Sequence, residues 1–436
     1  MKRSNPYGLL MILPLLFLLT TLGGCTADSD CKFGSSAIRA SPIPQGLGVN
    51  IHFTDPKPGE VKMIADAGFR WVRMDFVWKV TERERGRYDF AEYDRLIKAL
   101  DEYEIRALFI LDYGNPLYAN GAPPRTAETR QAFVRWAVAA AKHFSGRAVV
   151  WEIYNEPNNE MFWPPRPDVN EYIELALAVS RAFRSEVPGE KLVGPAVSQS
   201  DFPFLEACLK AGLLDYWYAV SVHPYRQTDP ETAAQDYCRL RKLIQQYRTR
   251  SGSGGIGTSM SDRQIQIISS EWGYSSVWRG MSEEKQGALF AREMLTNAAN
   301  EIPISIWYDW RDDGSKPDEP EHHFGTVFPW YHDNREPVYD PKPAYFAAKT
   351  LTTFFSDYRF EKRLNVGSDE DYVLVFRKGD ALRFAAWTTG SSHRVFAPLG
   401  AGQYTGIRHT GQDLGISSSD QKGLAITLTN APVYFR

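Results

Sequence analysis

The feature that most constrains the fold is an alternation of strand-like and helix-like segments, repeated eight times between residues 46 and 357. Short apolar runs predict strands at 47–53, 69–76, 105–112, 148–155, 191–198, 218–225, 265–271 and 304–310. Apolar residues at helical spacing predict helices that include 91–104, 130–144, 171–185, 235–249, 285–300 and 344–356. Eight such units are typical of a (β/α)8 TIM barrel of the α/β class. A doubly wound open sheet is the alternative, but no glycine-rich phosphate loop follows the first strand.

The pattern changes after residue 357. Residues 358–436 contain short alternating runs, YVLVFRK, LRFAAWTT, GLAITLT and APVYFR, separated by turn residues. This pattern predicts a small antiparallel, sandwich-like β-domain packed beside the barrel. The segment 250–261, RSGSGGIGTSMS, is interpreted as a flexible loop before the seventh strand and not as a domain boundary.

The N-terminal residues have the pattern of a targeting segment. Lys2 and Arg3 supply positive charge, and residues 9–19 form an apolar stretch that is short for a membrane span. The stretch leads into LGGC at 22–25, which resembles a bacterial lipobox. Residues 1–25 are therefore predicted to be a lipoprotein signal peptide with its lipid on Cys25. A plain secretory signal with an incidental cysteine is the alternative.

Lipidation of Cys25 would anchor the protein in the bacterial cell envelope, with residues 26–45 as a tether. An exported protein can form disulfides, and Cys208 and Cys238 lie on consecutive predicted helices. A bridge between these two residues and two separate buried thiols are both consistent with the sequence. Cys31, in the tether, has no evident partner.

The composition is that of a folded globular protein, with 43% hydrophobic and 24% charged residues. A net charge of -3 provides no basic surface, so nucleic acid is not an expected partner. The chain has 12 Trp and 22 Tyr, whose flat amphipathic rings suit contact with sugars. The protein is expected to be a monomer.

Polar side chains gather where the predicted barrel strands end, which is where TIM barrels carry their chemistry. The strand ends hold His52, Arg73, Asp75, Asp112, Asn155, Glu156, His223, Tyr225, Glu271, Trp307 and Trp310. Two carboxylates therefore reach one face of the barrel, Glu156 in the run WEIYNEPN and Glu271 in the run IISSEWG.

Two carboxylates on facing strand ends suit glycoside hydrolysis. One must be protonated to assist the leaving group, and the other must be ionised to attack the anomeric carbon. A cation such as Arg73 would keep the attacking carboxylate charged. A metal-dependent hydrolase commonly carries His-x-His on the first strand, and the 8 histidines show no such spacing. Neither a metal nor a cofactor is therefore expected.

The runs WEIYNEPN and IISSEWG resemble those of the retaining glycoside hydrolases of clan A, and most of all family 39 and its relatives in exopolysaccharide gene clusters. The resemblance implies that Glu156 is the acid/base, Glu271 the nucleophile and Asn155 the ligand of the sugar 2-hydroxyl. It also assigns substrate contacts to Arg73 and to His223 with Tyr225. Residues 105–120 contain no histidine, which cellulase-like members carry after strand three, so cellulose is not the expected substrate.

Other polar and aromatic residues have two interpretations each. Trp310 is predicted to be a sugar platform, and His52 a sugar ligand or else a core histidine. Glu152 is predicted to be a buried structural carboxylate paired with a cation. His322 and His323 are predicted either to border the cleft or to lie in a solvated loop.

The expected activity is endo-acting hydrolysis of an envelope or extracellular polysaccharide, favoured over β-xylosidase-like exo action. Iduronidase-like activity remains open. A non-catalytic glycan-binding lipoprotein is the alternative from another class. The presence of both Glu156 and Glu271 disfavours it, because a binder needs no acid–nucleophile pair.

Overall fold

The computed structural model describes residues 41–251 and 264–436. Eight parallel strands, β1 to β8, close into a barrel in the order of the sequence. They span Leu47–Asn50, Trp71–Val77, Arg106–Asp112, Val149–Ile153, Lys191–Ser198, Ala219–His223, Gln266–Trp272 and Ser305–Trp307. Parallel pairing of β8 with β1 closes the ring. The predicted (β/α)8 barrel is confirmed.

Helices α1 to α9 surround the barrel. They span Glu60–Asp66, Trp78–Thr81, Ala91–Asp101, Ala127–His143, Val169–Glu186, Phe202–Lys210, Ala233–Ser251, Glu283–Ala299 and Pro343–Phe354. Four begin at a side chain that accepts a hydrogen bond from a backbone N–H of the first turn: Thr126 for α4, Asp168 for α5, Asp201 for α6 and Ser282 for α8. Such caps satisfy amide groups that have no partner within the helix, and so fix where each helix starts.

The barrel interior is apolar at its lower end and polar above it. One cluster of buried side chains fills the lower end: Trp71, Leu108, Val150, Val193, Ala219, Ile268, Ile304 and Ile306. Side chains two positions further along a strand point to the same interior. In β2 and β4 those residues are Arg73 and Glu152, both 0% exposed. The apolar cluster therefore supports a charged layer at the carboxyl ends of the strands.

The connection from β8 to α9 contains a hairpin that the sequence pattern did not predict. Its strands are β9, Val327–Tyr331, and β10, Tyr339–Pro341, and they pair antiparallel. A short 3₁₀ turn, Pro320–His323, precedes it. Because this segment follows β8, it lies at the same end of the barrel as the charged layer.

Residues 359–435 form an eight-stranded antiparallel sheet in the order β11-β12-β13-β18-β15-β16-β17-β14. The strands span Arg359–Leu364, Asp371–Lys378, Ala381–Thr388, His393–Ala397, Gly402–Arg408, Asp413–Asp420, Gly423–Leu428 and Val433–Phe435. Val375 of β12 and Phe384 of β13 pack in one cluster with Ile426 and Leu428 of β17. The sheet therefore curls over its own core, and the predicted small antiparallel β-domain is confirmed.

The sheet is docked on the barrel through a buried polar contact. Nε1 of Trp387, in β13, donates to Oε1 of Glu231 at 2.6 Å. Glu231 also accepts from Arg292 of α8, at 2.8 and 2.7 Å. All three residues are buried, and the barrel and the sheet belong to one compact unit.

The predicted tether needs correction, and neither of the two alternatives for Cys208 and Cys238 describes both residues. The predicted tether 26–45 is too long, because Ile43 is 1% exposed and its backbone pairs with Asp357 and Tyr358. Cys208 is a free buried thiol, whereas Cys238 is disulfide-bonded, so these two residues are not bridged. The signal peptide, Cys25 and Cys31 lie outside the described residues. Within the described residues, no helix has the length and apolar character needed to span a membrane.

Candidate active site

Arg73 is the centre of the charged layer. Its Nε donates to Oε2 of Glu152 at 2.7 Å, and its Nη1 donates to Oε2 of Glu271. Its Nη2 lies 2.9 Å from Oδ1 of Asn155 and 3.1 Å from Nε2 of His223. Burial lowers the pKa of Arg73, but the carboxylates of Glu152 and Glu271 outweigh burial and raise the pKa above its usual value. The guanidinium is therefore a fixed positive charge that orients four side chains.

Glu152 has the structural role predicted for it. Burial raises the pKa of this carboxyl, but the charge of Arg73 outweighs burial and lowers the pKa below its usual value. Glu152 is 0% exposed, so no substrate reaches it. It neutralises part of the charge of Arg73 and holds the guanidinium in place.

Glu156 is presented by the turn that follows β4. Its backbone N–H donates to the carbonyl of Ala196, and its φ is 41°, in the left-handed region that a non-glycine residue adopts only under local constraint. Its Oε1 lies 2.9 Å from Nδ1 of His223. Its Oε2 accepts from Nδ2 of Asn159 at 3.0 Å. Both oxygens are thus positioned by neighbouring side chains.

Glu271 lies near the end of β7, where the strand register is irregular. Besides its contact with Arg73, it accepts a hydrogen bond from the hydroxyl of Tyr225 at 2.9 Å. Burial and then the charge of Glu271 raise the pKa of Tyr225 well above its usual value, so the phenol keeps its proton and donates it to this bond. Two donors, Arg73 and Tyr225, therefore orient the carboxyl group of Glu271.

The two glutamates face each other closely. One oxygen of Glu156, one oxygen of Glu271 and a ring nitrogen of His223 all lie within 4.8 Å of one another. Retaining glycosidases hold their carboxyl groups about 5–5.5 Å apart, and inverting ones about 6.5–9.5 Å apart. This approach of the nearest oxygens is closer than the inverting range and is compatible with the retaining one.

Asn155 directly precedes Glu156 and contacts Arg73. It is 6% exposed, and its Oδ1 is occupied by Arg73. Because the oxygen accepts from the guanidinium, the amide Nδ2 is oriented away from it. This nitrogen can donate to a hydroxyl of a sugar that lies between Glu156 and Glu271.

The prediction that Trp310 is a sugar platform is wrong. Trp310 is 1% exposed, its Nε1 donates to Glu60 of α1 at 3.2 Å, and its ring lies against Tyr339 and Tyr345. It packs in the layer between the barrel and its helices, so no sugar can stack on it. Trp307 is also fully buried.

Other aromatic residues occupy the cleft in its place. Tyr308 and Tyr113 are partly exposed, and the negative charge of Glu271 contributes to raising the pKa of both, after burial and nearer aspartates. Tyr113 lies parallel to Phe162 at 5.7 Å between ring centroids. The sequence signal for them was their position, since Tyr113 directly follows the predicted strand 105–112 and Tyr308 lies in the last three residues of the predicted strand 304–310. Asn159 was also missed, although it follows Glu156 by three residues, as a turn contact would require.

His52 lies at the cleft as predicted, at the end of β1. Its side chain is 38% exposed, and its Nε2 is 3.5 Å from Oδ2 of Asp309. Its ring meets Tyr308 edge to face at 5.6 Å. It is therefore not a core histidine at the bottom of the barrel.

Asp112 is buried beside Asp75 within the barrel. Burial and then the charge of Asp75 raise the pKa of Asp112 well above its usual value, so Asp112 is a neutral acid. Asp112 is 0% exposed, whereas Asp75 is partly exposed and lies two residues beyond Arg73 towards the carboxyl end of β2.

Two groups of described side chains bring three candidate metal ligands together: Glu156, His223 and Glu271, and also His52, Asp309 and Asp313. In the first group both nitrogens of His223 are already in hydrogen-bond contact, one with Arg73 and one with Glu156. That group fits acid–base chemistry better than metal binding. The second group is considered further below.

A polar pocket of about 450 Å³ adjoins Glu156. It lies between the segments that follow β4 and β5, and is lined by Asn158, Asn159, Glu160, Ser198, Gln199, Ser200 and Asp201. Asn158 joins the two segments by bonds to Ser198 and Asp201. The pocket lies on the side of Glu156 to which Asn159 is bonded.

Residues 45–314 match the family described as cellulase, glycosyl hydrolase family 5. The chain belongs to this family. The structure is similar to that of a family 39 glycoside hydrolase from the gut symbiont Bacteroides cellulosilyticus WH2, with a TM-score of 0.75 and 25% identity, over 90% of this chain and 80% of that one. The clan A resemblance expected from the sequence is thereby confirmed.

Two more distant structures share the fold of this glycosidase. One is a family 39 β-xylosidase from Caulobacter crescentus, with a TM-score of 0.63 and 17% identity, over 92% of this chain and 97% of that one. The other is a family 30 endoxylanase from Clostridium papyrosolvens C71, with a TM-score of 0.62 and 10% identity, over 91% and 97%. No curated protein matches the chain. The protein is therefore a glycosidase of clan A type.

Proposed function

We propose that this glycosidase is an endo-acting, retaining hydrolase of an envelope or extracellular polysaccharide. The observation that carries the retaining mechanism is the approach of Glu156 and Glu271, whose nearest oxygens lie within 4.8 Å. A separation of that size suits a covalent glycosyl-enzyme.

In the first half of the reaction, Glu271 attacks the anomeric carbon and forms a covalent glycosyl ester. The glycosidic C–O bond breaks, and its electron pair stays on the leaving oxygen, which takes a proton from Glu156. Arg73 and Tyr225 hold Glu271 ionised and aimed at the carbon. Asn155 is placed to donate to the 2-hydroxyl, a contact that strengthens in the oxocarbenium-like transition state.

In the second half, Glu156, now a carboxylate, accepts a proton from water. The resulting hydroxide oxygen attacks the anomeric carbon, and the bond to Glu271 breaks, which restores both glutamates. Two displacements at the same carbon return the original anomeric configuration. His223 and Asn159 keep Glu156 in reach of both the leaving oxygen and the water.

Two features support endo action. The polar pocket beside Glu156, at about 450 Å³, is large enough to hold sugar on the leaving-group side. On the hairpin after β8, Trp330 is 55% exposed and stacks on Phe328 at 6.1 Å between ring centroids. An exposed indole at the barrel end that carries the active site suits an extended polysaccharide.

We also propose that the enzyme acts at the bacterial cell envelope, anchored through a lipid on Cys25. The run LGGC at 22–25 after a short apolar stretch supports this location. Mass spectrometry of the mature protein should find a lipidated N-terminal Cys25. Cleavage at another residue, or an unmodified cysteine, would contradict the anchor.

The function is tested by incubating the full-length protein with a panel of bacterial polysaccharides and aryl glycosides. Endo action should release oligosaccharides of mixed length from the start, whereas exo action would release a single small product. Glu271→Gln is the control, and it should abolish turnover while leaving binding measurable. Binding by the unaltered protein without hydrolysis of any substrate would favour the alternative, a non-catalytic glycan-binding lipoprotein.

A further inference from the structure

The polar pocket between the segments after β4 and β5 is braced by hydrogen bonds within its own wall. Nδ2 of Asn158 donates to the carbonyl of Ser198 and to Oδ2 of Asp201, both at 3.1 Å, and its Oδ1 accepts from the backbone N–H of Ser198 at 2.8 Å. Oγ of Ser200 donates to Oδ2 of Asp236, on α7, at 3.0 Å. The pocket, at about 450 Å³, is therefore formed before a ligand enters.

Three side chains in the wall of this pocket have unused hydrogen-bonding groups. They are the carboxylate of Glu160, the hydroxyl of Ser198 and the amide of Gln199, and none of these groups bonds another of the described residues. All three residues are at least partly exposed, so a ligand can reach them. The hydroxyl and the amide can each donate and accept, as the hydroxyl groups of a sugar do. The wall therefore suits a ligand that is rich in hydroxyl groups.

The charge of the pocket wall disfavours an anionic ligand. Glu160 and Asp201 are acidic, and none of the described residues that line the pocket is a lysine or an arginine. Glu156 and Glu271 lie next to it, on the side of Asn159. The carboxylate of a uronic acid in the pocket would therefore be repelled, whereas a neutral sugar would not.

The backbone that carries Gln199 is constrained. The register of β5 shifts between Pro195 and Val197, as at a β-bulge, and φ is 52° at Ala196 within the shift. Gln199 itself has a φ of 60° and forms an isolated bridge with His223. Left-handed φ values are uncommon for non-glycine residues and persist where the surrounding structure holds them, as it commonly does at ligand sites. The pocket wall is thus fixed to the strand end that carries His223.

Asn159 connects the pocket to Glu156. It lines the pocket, and its Nδ2 donates to Oε2 of Glu156 at 3.0 Å. Its Oδ1 accepts from the backbone N–H of Met161 at 3.1 Å, and because an N–H only donates, this contact fixes which end of the amide faces Glu156. A sugar in the pocket therefore lies one side chain away from the carboxyl group that is proposed to protonate the leaving oxygen.

We propose that this pocket is an acceptor site and that the protein is also a transglycosylase, which transfers its glycosyl group to a hydroxyl of a neutral sugar held by Gln199 and Glu160. The inference rests on the proposed retaining mechanism. The second displacement uses the geometry of the first in reverse, so a pocket that holds the departing sugar also holds a sugar that is placed to attack.

The acceptor takes the place of water in the second half of the reaction. Glu156, as a carboxylate, removes the proton of the acceptor hydroxyl, whose oxygen forms a bond to the anomeric carbon. The bond between that carbon and Glu271 breaks, and its electron pair returns to the carboxylate. The product is a new glycoside with the original anomeric configuration, and no other reactant is needed. A bound hydroxyl can compete with water because the pocket fixes its position.

The test uses the full-length protein, with the aryl glycoside that it hydrolyses fastest as the donor. Methyl β-glucoside, methyl β-galactoside and methyl β-xyloside are the neutral acceptors, and methyl β-glucuronide is the anionic one. Mass spectrometry measures the ratio of transfer product to hydrolysis product. Transfer to at least one neutral acceptor should occur and should saturate as the acceptor concentration rises, as binding in a site requires. Transfer to the glucuronide should be at least about ten times lower, and added salt should narrow this difference.

Two substitutions separate binding in the pocket from chance encounter. Gln199→Ala should lower the transfer-to-hydrolysis ratio for neutral acceptors at least about threefold, because it removes a hydrogen bond to the acceptor. Glu160→Gln keeps the shape of the side chain but removes its charge, so transfer to the glucuronide should rise at least about threefold. Both side chains are exposed, so both variants should fold. Gln412→Ala, at an exposed glutamine of the C-terminal sheet, is the matched control and should change neither ratio.

Four results would overturn the inference and leave the glycosidase function intact. These are hydrolysis of the donor without transfer to any neutral acceptor, transfer that rises linearly with acceptor concentration, equal transfer to the glucuronide, and ratios that Gln199→Ala and Glu160→Gln do not change. A different result would reject the glycosidase function itself, and the inference with it. That result is the absence of hydrolysis with every donor of the panel.

Discussion

Nη2 of Arg73 lies 3.1 Å from Nε2 of His223, and this contact determines which nitrogen of the imidazole carries the proton. A guanidinium only donates, so Nε2 must accept and the proton must lie on Nδ1. Nδ1 in turn lies 2.9 Å from Oε1 of Glu156. The guanidinium of Arg73, which contacts Glu271 directly, therefore also orients Glu156 through His223.

His223→Ala should impair proton transfer more than it impairs attack by Glu271. We expect kcat/KM to fall about 10²–10³-fold for poor leaving groups, in the range that general acid catalysis contributes, and less than about tenfold for a dinitrophenyl leaving group. His223→Asn is the matched control, because its amide can replace the Nδ1–H donor and should recover most of the loss. Equal losses with both leaving groups would show that His223 does not act through Glu156.

The Glu156→Ala variant should still form the glycosyl-enzyme from activated substrates but should no longer hydrolyse it. A dinitrophenyl glycoside needs no protonation to leave, so the glycosyl-enzyme should still form, but no base remains to activate water. Added azide should restore turnover by at least about tenfold and give a glycosyl azide. Chromatography of the products checks this. Failure of azide to raise the rate or to appear in a product would contradict the role of Glu156.

The contact between Trp387 and Glu231 should stabilise the whole protein. Trp387→Ala removes a fully buried ring and leaves a buried carboxylate without one of its donors, so we expect a loss of about 3–5 kcal/mol in the free energy of unfolding. Ile416→Ala, at a residue of the same sheet that is 67% exposed, is the control and should change stability by less than about 0.5 kcal/mol.

Removal of the whole sheet extends the same argument. A chain ending at residue 358 would expose the barrel surface that Trp387 covers, so it should be insoluble. Thermal unfolding of the point variants and the solubility of the shortened chain are the measurements. A soluble shortened chain with unchanged substrate range would show that the sheet is a detachable module.

Asp309→Asn should stabilise the protein increasingly as the pH rises. Burial and then the charge of Asp313 raise the pKa of Asp309 to about 8, although the contact with His52 opposes this rise. Between the unfolded-state pKa of Asp309 and pH 8, the folded protein therefore binds more protons than the unfolded protein. Its stability falls as the pH rises through this range. The pKa of His52 is also raised, to about 9, and this raised pKa stabilises the folded protein fully below the unfolded-state pKa of His52. This stabilisation is lost as the pH rises towards 9, and Asp309→Asn removes it at every pH. Both effects raise the stability of the variant relative to that of the unaltered protein as the pH rises.

The difference in unfolding free energy between Asp309→Asn and the unaltered protein should therefore grow by at least about 1 kcal/mol from pH 5 to pH 8, since one pKa unit corresponds to about 1.4 kcal/mol. Denaturant unfolding at several pH values measures it. Asp318→Asn, at an exposed carboxylate on the same loop, is the control and should show no such trend. A constant difference across this range would contradict the account of the buried carboxylate.

Much of the barrel and the placement of Glu156 and Glu271 could be predicted from the sequence, because both depend on local patterns. Apolar runs fix the strands, and the TIM barrel rule places Glu156 and Glu271 at one end. The pairing of Glu152 with a cation followed from its place inside a buried strand. The other partners of Arg73 could not be predicted in this way, since they come from the ends of three strands, β4, β6 and β7, and depend on three-dimensional distances.

The errors have a common physical cause. Trp310 and Tyr308 are two residues apart, and only the irregular path of the chain after β8 decides which ring faces the cleft. Ile43 looked like part of a tether because a single apolar residue carries no periodicity. The hairpin of β9 and β10 was missed because the sequence around it is rich in proline and charged residues, a pattern that is typical of a loop. Such features depend on tertiary packing and not on local pattern.

The central claim is that Glu271 attacks the sugar directly while Glu156 acts first as acid and then as base. The most direct measurement is NMR of the first product released from a substrate of known anomeric configuration, before mutarotation. The account predicts that the product has the same configuration as the substrate, because two displacements occur at one carbon. A product of opposite configuration would mean single displacement by water, and the role of Glu271 as nucleophile would be wrong.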